Sequence, residues 1–185
     1  SYGDYLRCGA LARFSPLMDS VIRFAGQGGK VLGVCNGFQI LCESGLLPGV
    51  LLQNRQQQFV CKNIYIISDN EATVLTKDIA HRPLKIPVAH GEGRYYADAQ
   101  TLRALEKNDQ ILFRYCDEKG VVDEACNPNG SVDNIAGITN AGKNVFGMMP
   151  HPERASFGIL GNTDGADIFM SLIRNSVAAK SLANA

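Results

Sequence analysis

Residues 30–41 admit few backbone paths: Lys30-Val31-Leu32-Gly33-Val34-Cys35-Asn36-Gly37-Phe38-Gln39-Ile40-Leu41. A short apolar, β-branched segment is followed at once by an apolar segment suited to a helix, with Gly-x-Cys-x-Gly between them. This is the pattern of a nucleophile elbow, a sharp strand-to-helix turn that lifts a reactive side chain above a sheet. Glycines at 33 and 37 leave room for the crowded backbone, and Cys35 lands where the first unbonded helix N–H groups point. The helix dipole stabilises a thiolate there, which makes a competent nucleophile near neutral pH. The competing reading is a buried, inert cysteine that ends a core strand; the paired glycines tell against it.

The chain of 185 residues fits one domain spanning 1–185, long enough to bury roughly two-thirds of its unfolded surface. Eighteen basic residues balance eighteen acidic ones, so the charge points to no nucleic acid, membrane surface or polyanionic substrate. No apolar run approaches the roughly 18 residues that span a bilayer, and no signal-peptide pattern opens the chain. Six cysteines (Cys8, Cys35, Cys42, Cys61, Cys116, Cys126) are irregularly spaced, with no Cys-x-x-Cys and no finger-like Cys/His pair. That spacing disfavours a disulfide framework or zinc, and the expected compartment is the reducing cytoplasm.

Apolar residues at helical spacing (Leu11, Phe14, Leu17, Met18, Val21, Ile22, Ala25) predict one helix over 10–25, stopped by Gly26, Gly28 and Gly29. Strand 31–34 and helix 38–44 then form a unit that suggests a doubly wound, parallel sheet. Segments 56–67, 84–88, 111–115 and 135–138 read as further strands, with antiparallel meanders expected in this middle region. Val145-Phe146-Gly147-Met148-Met149 is the last core strand, and a helix from about 165 to 179 closes the domain.

A thiolate nucleophile needs a base, and the base needs an orienting group. The chain has three histidines: His81, His90 and His151. His151 follows the last core strand at the carboxyl edge, where active sites of such sheets collect. Glu153 stands two residues later, and alternate residues of an extended segment point the same way, so it can fix the His151 tautomer. His81, in a polar loop before Arg82-Pro83, is read as exposed and without a role. His90 lies in Pro87-Val88-Ala89-His90-Gly91-Glu92-Gly93-Arg94-Tyr95, where glycines free backbone N–H groups to face a ligand; a tight turn between strands explains them as well.

Three segments together resemble the class I glutamine amidotransferases: the Cys35 elbow, Ala89–Tyr95, and Met149-Pro150-His151-Pro152-Glu153-Arg154. The opening Ser1-Tyr2-Gly3-Asp4-Tyr5-Leu6-Arg7, Leu51-Leu52-Gln53-Asn54 and Asn127-Pro128-Asn129-Gly130-Ser131 narrow the resemblance to the glutaminase subunits of phosphoribosylformylglycinamidine synthase. It covers essentially the whole chain. It implies an α/β, three-layer, flavodoxin-like fold with a mostly parallel central sheet and a small antiparallel sheet. It also implies glutamine hydrolysis, in which Cys35 forms a glutamyl thioester, His151 moves the protons and Glu153 orients His151. Substrate contacts fall to Asn36, Gln39, His90, Gly91 and Gly93, with the Asn36 N–H as one oxyanion donor.

In that family a second oxyanion donor comes from a Gly-Gly loop just before the Ser-Tyr-Gly-Asp-Tyr motif. This chain opens at the motif, so it is expected to be N-terminally incomplete by on the order of 40 residues, a βαβ unit. A poorly covered sheet edge and weak glutaminase activity in isolation are then expected. The implied partner is the synthase subunit that accepts formylglycinamide ribonucleotide, together with a small bridging subunit. No cofactor is expected in this chain, since ATP-binding motifs are absent and ATP and Mg would sit on the synthase. Ser1–Arg7 and Gly161-Asn162-Thr163-Asp164-Gly165 are candidate docking segments. Three readings stay open beside this one: a cysteine hydrolase of the DJ-1-like kind, an amidotransferase serving CTP, GMP or anthranilate synthesis, and an inactive binding domain.

Overall fold

The computed structural model describes residues 8–68 and 70–183; the Ser1–Arg7 motif lies outside them. Ser15 and Pro16 produce the first departure from expectation. Ser15 is extended and accepts the Leu17 N–H at 3.4 Å, while Pro16 takes the first helical position, where a missing N–H costs nothing. The one helix expected over 10–25 is therefore two, α1 (Cys8–Ala12) and α2 (Pro16–Gly26). Only Met18 and Ala25 of α2 are buried, and Leu17 and Phe24 face outward.

β1 (Val31–Val34) leads into α3 (Asn36–Glu43), as expected but with the helix starting two residues earlier. β2 (Val50–Leu52), β3 (Val60–Ile67), β4 (Leu84–His90), β5 (Arg94–Tyr96), α4 (Ala99–Lys107) and β6 (Ile111–Cys116) follow. β7 (Ile135–Thr139), β8 (Val145–Met148) and α5 (Asp164–Ala183) complete the set. The strand expected from residue 56 begins only at 60, because a turn with Gln57 at φ 54° precedes it. β2, β5 and α4 escape the sequence reading. Three residues are too few to show a period, and α4 fully buries only Leu105.

The α/β architecture and the small antiparallel sheet (β2–β5) are as expected. The main sheet runs β1-β8-β7-β6-β3-β4, and here the pairing directions correct the expectation of a mostly parallel sheet. Among the described residues only β1–β8 is parallel; β8–β7, β7–β6, β6–β3 and β3–β4 are antiparallel. For β7 and β8 the physical reason is connection length. A parallel neighbour needs a crossover of a dozen or more residues, whereas β7 and β8 are joined by a tight turn at Asn140–Asn144. Two apolar clusters cover the sheet. Ile66, Ile86, Phe146 and Met148 pack with Ile168 of α5 in one, while Phe38 and Leu41 of α3 pack with Tyr95, Leu105 and Val145 in the other. Helices thus lie on both faces, which makes three layers.

Candidate active site

Cys35 carries φ 53° and ψ −108°, a backbone conformation that costs energy for any residue with a Cβ. It is held there from both sides: its N–H donates to the Met148 carbonyl at 2.8 Å, and its own carbonyl accepts the Gln39 N–H at 3.2 Å. A Cβ on Gly33 would sit 2.7 Å from the Gly37 carbonyl, so glycine is required at 33 by close approach of strand and helix. Gly37 has open space around it, so packing asks for one of the two elbow glycines and not both.

From Met148 the chain runs three residues to His151, which is buried. The His151 N–H donates to the Pro87 carbonyl at 2.8 Å, and the Cys35 thiol donates to the Ala89 carbonyl at 3.8 Å. Both carbonyls belong to β4, two residues apart and hence on one side of the strand. β4 and β1 are the opposite ends of the sheet order, so the sheet curls until its two ends meet at Cys35 and His151. His151 Nδ1 lies 2.6 Å from Glu153 Oε1. A carboxylate only accepts, so Nδ1 carries a proton, and in the neutral ring Nε2 presents a lone pair. Nε2 is buried, and no group among the described residues hydrogen-bonds it.

The His–Glu pair forms as expected, but not through an extended segment. Glu153 lies in a 3-10 turn, Pro152–Ala155, that starts directly after His151. Burial pushes the Glu153 carboxyl up, but the hydrogen bond and positive charge of His151, with a backbone hydrogen bond and the Arg154 charge, together leave it below the usual carboxylate range. The turn is braced from behind by α5, which approaches so closely that a Cβ on Gly165 would sit 2.0 Å from the Pro152 carbonyl oxygen.

The loop 90–93 departs from expectation. His90 is fully buried, with Nδ1 donating to Asn54 Oδ1 at 3.1 Å and Nε2 facing Asn129 Nδ2 at 3.5 Å. The Gly93 N–H is bonded to Asn54 Oδ1 at 3.0 Å, and the glycine packs flat on the His90 ring. These two residues are therefore turned into the protein. The Gln39 amide donates to the Glu92 carbonyl at 2.9 Å, which ties the loop to the elbow helix. Gln39 and Glu92 line a cavity of about 290 Å³ together with Gly9, Glu43 and residues 50–53. Gly91 stands half-buried at the tip of the loop, and Asn36 opens α3, where backbone N–H groups precede the first helical acceptor.

His81 is exposed beside Glu71 at 3.2 Å, away from this constellation. Burial drives the Cys42 thiol far up, which makes it a poor nucleophile beside Cys35. A second hollow of about 190 Å³ near Asn70, Leu105 and Arg114 holds none of the sequence-predicted residues. Among the described residues no group of three or more metal-ligating side chains converges, and no helix is long and apolar enough to cross a membrane. Sequence reasoning gave no role to Asn54, Asn129, Ser131 or Tyr115. Asn54 and Asn129 do stand in two of the segments that narrowed the family resemblance.

Comparison with known proteins places the chain in a family. The CobB/CobQ-like glutamine amidotransferase domain matches residues 1–167. The phosphoribosylformylglycinamidine synthase subunit PurQ of Moorella thermoacetica is 58% identical over 174 residues, covering 94% of this chain and 74% of the relative. The subunit of the same name from Synechocystis is 55% identical over 172 residues, covering 92% and 77%. Among solved structures, PurLQS from Thermotoga maritima superposes with a TM-score of 0.80 at 40% identity, covering 94% of this chain and 74% of that one.

Proposed function

The chain belongs to the CobB/CobQ-like glutamine amidotransferases, in the branch of the PurQ subunits of phosphoribosylformylglycinamidine synthase, and from this membership we propose how its site works. It hydrolyses glutamine to glutamate and ammonia. The ammonia passes to the synthase subunit, which converts formylglycinamide ribonucleotide to formylglycinamidine ribonucleotide in purine biosynthesis. A small bridging subunit completes the complex, ATP and Mg are bound by the synthase, and the assembly works in the cytoplasm.

The observation that carries the site assignment is the buried His151 Nε2, without a hydrogen-bond partner among the described residues, near a strained Cys35, both anchored on β4. Nε2 takes the thiol proton as Sγ attacks the side-chain carbonyl carbon of glutamine. The tetrahedral oxyanion is held by the Asn36 N–H at the start of α3. The same proton then goes to the amide nitrogen, the C–N bond breaks, and ammonia leaves a glutamyl thioester. His151 next activates a water that attacks the thioester carbon, and glutamate departs as the thiol regains its proton. Glu153 keeps Nδ1 protonated and stabilises the imidazolium formed in both steps.

Treating the complex with a glutamine-mimicking chloroketone or diazoketone and mapping the adduct by mass spectrometry tests this. The label is expected on Cys35, with protection by glutamine. A label on Cys42 or Cys61 would overturn the mechanism.

A further inference from the structure

Two asparagines from separate segments close on the 90–93 loop from opposite sides. Asn54 is 1% exposed, and its side chain uses its full hydrogen-bonding capacity. Oδ1 accepts from His90 Nδ1 at 3.1 Å and the Gly93 N–H at 3.0 Å, while Nδ2 donates to the His90 carbonyl at 2.9 Å and the Gln58 carbonyl at 2.8 Å. Its backbone N–H adds a bond to the Gly91 carbonyl at 2.8 Å. Asn129 is wholly buried on the other side. It donates to the Gly93 carbonyl at 2.8 Å and to Tyr115 at 3.2 Å, and it accepts from the Ser131 N–H at 3.0 Å and hydroxyl at 2.7 Å.

His90 lies between the two, and its partners leave one tautomer. Asn54 Oδ1 accepts, so Nδ1 must carry the proton; Asn129 Nδ2 donates, so Nε2 must not. A buried polar network with every member satisfied is rigid and specifies one conformation. The loop it holds reaches α3 through the Glu92 carbonyl and the Gln39 amide. Gln39 follows Cys35 by four residues, about 6 Å of helical rise, and it lines a cavity together with Glu92. A glutamine whose side-chain amide meets Sγ has its main-chain end several ångströms away, on the scale of that rise.

We propose that Asn54, Asn129 and the His90 between them are positioning residues, which hold the 90–93 loop against the elbow helix and so set where the main-chain end of the substrate is gripped. None of the three hydrogen-bonds Cys35, His151 or Glu153 in the contacts above. Their effect should therefore fall on substrate capture and leave the reactivity of the thiol in place. The inference rests on glutamine being the substrate.

The test uses the assembled complex with Asn54→Ala, Asn54→Asp and Asn129→Ala. Glutamine-dependent turnover is measured alongside the rate of Cys35 alkylation by iodoacetamide, a small electrophile with no main-chain end. Loss of a buried hydrogen-bond pair predicts a KM for glutamine raised roughly tenfold or more in Asn54→Ala. Asn54→Asp keeps the two acceptor bonds and is expected to recover part of that loss. Alkylation stays within about twofold of wild type. An unchanged KM in all three variants would overturn the proposal, as would alkylation falling in step with turnover. If Asn54→Ala fails to assemble, the same comparison is read from Asn54→Asp. Wild-type complex that alkylates normally yet releases no glutamate would instead refute glutamine as the substrate.

Discussion

Cys35 and His90 show two ways in which a side chain is forced into a state it would not choose in water. Cys35 has a strained backbone, with strand and helix bonds on either side fixing it. His90 is deprived of charge. Burial is the main cause of its pKa falling from 6.5 to about 4; a hydrogen bond from the ring to its own backbone opposes the drop, and the neighbouring His151 adds to it. As pH falls, the unfolded chain therefore takes up this proton first. The stability due to His90 is complete above pH 6.5 and is lost as pH falls through the window from 6.5 to about 4. The loss is on the order of 3 kcal/mol. Denaturant midpoints at pH 7 and pH 4.5 should diverge for wild type and converge for His90→Gln; equal divergence in both proteins would place the titration elsewhere. The residue types were legible in sequence, since Cys35, His151 and Glu153 stand out by pattern. The direction in which His90 points was not, because Asn54 lies 36 positions away.

At the scale of elements, the His151–Glu153 pair depends on a helix that carries none of its atoms. The Pro152–Ala155 turn sets the 2.6 Å contact between His151 and Glu153, and the first turn of α5 presses against the carbonyl of Pro152. The segment 161–165, singled out in sequence as a docking candidate, is occupied with this bracing. Asp164 accepts the Lys85 N–H at 2.8 Å, and Asn162 donates to the Lys85 carbonyl, so the segment is stitched to the free edge of β4. Replacing Gly165 by alanine would push backbone against backbone, a contact that no rotamer change relieves. Gly165→Ala is expected to lower kcat for glutamine hydrolysis by roughly tenfold or more through misplacement of His151. The glutamine KM should move less than kcat. Steady-state kinetics of the complex decide this, and wild-type kcat would show that the turn tolerates the shift. Helix α5 was visible in the sequence by its period, whereas its role as a brace was not, because a helical repeat does not say what the helix leans on.

Across the whole molecule, burial is uneven. β1 ends the described sheet and pairs only with β8, and Leu11, Phe14, Leu17 and Phe24 are each more than half exposed on the α1–α2 side. Apolar surface of this kind binds hydrophobic dyes in the folded state. The free chain is expected to enhance the fluorescence of anilinonaphthalene sulfonate, and Leu17→Glu with Phe24→Glu should cut that signal by roughly half or more while leaving the melting temperature nearly unchanged. An unaltered signal would locate the dye elsewhere. What the sequence determined by itself is local: the elbow, the strands and helices long enough to show a period, and the short motifs that carry Cys35, His151 and Glu153. These follow from steric and periodic rules acting within about ten residues. Tertiary structure alone decided the antiparallel pairings and the curl that joins the two ends of the sheet. It also decided which polar side chains are turned inward to hold the 90–93 loop. Those outcomes depend on contacts between residues far apart in the chain, and such contacts leave no periodic trace in the order of amino acids.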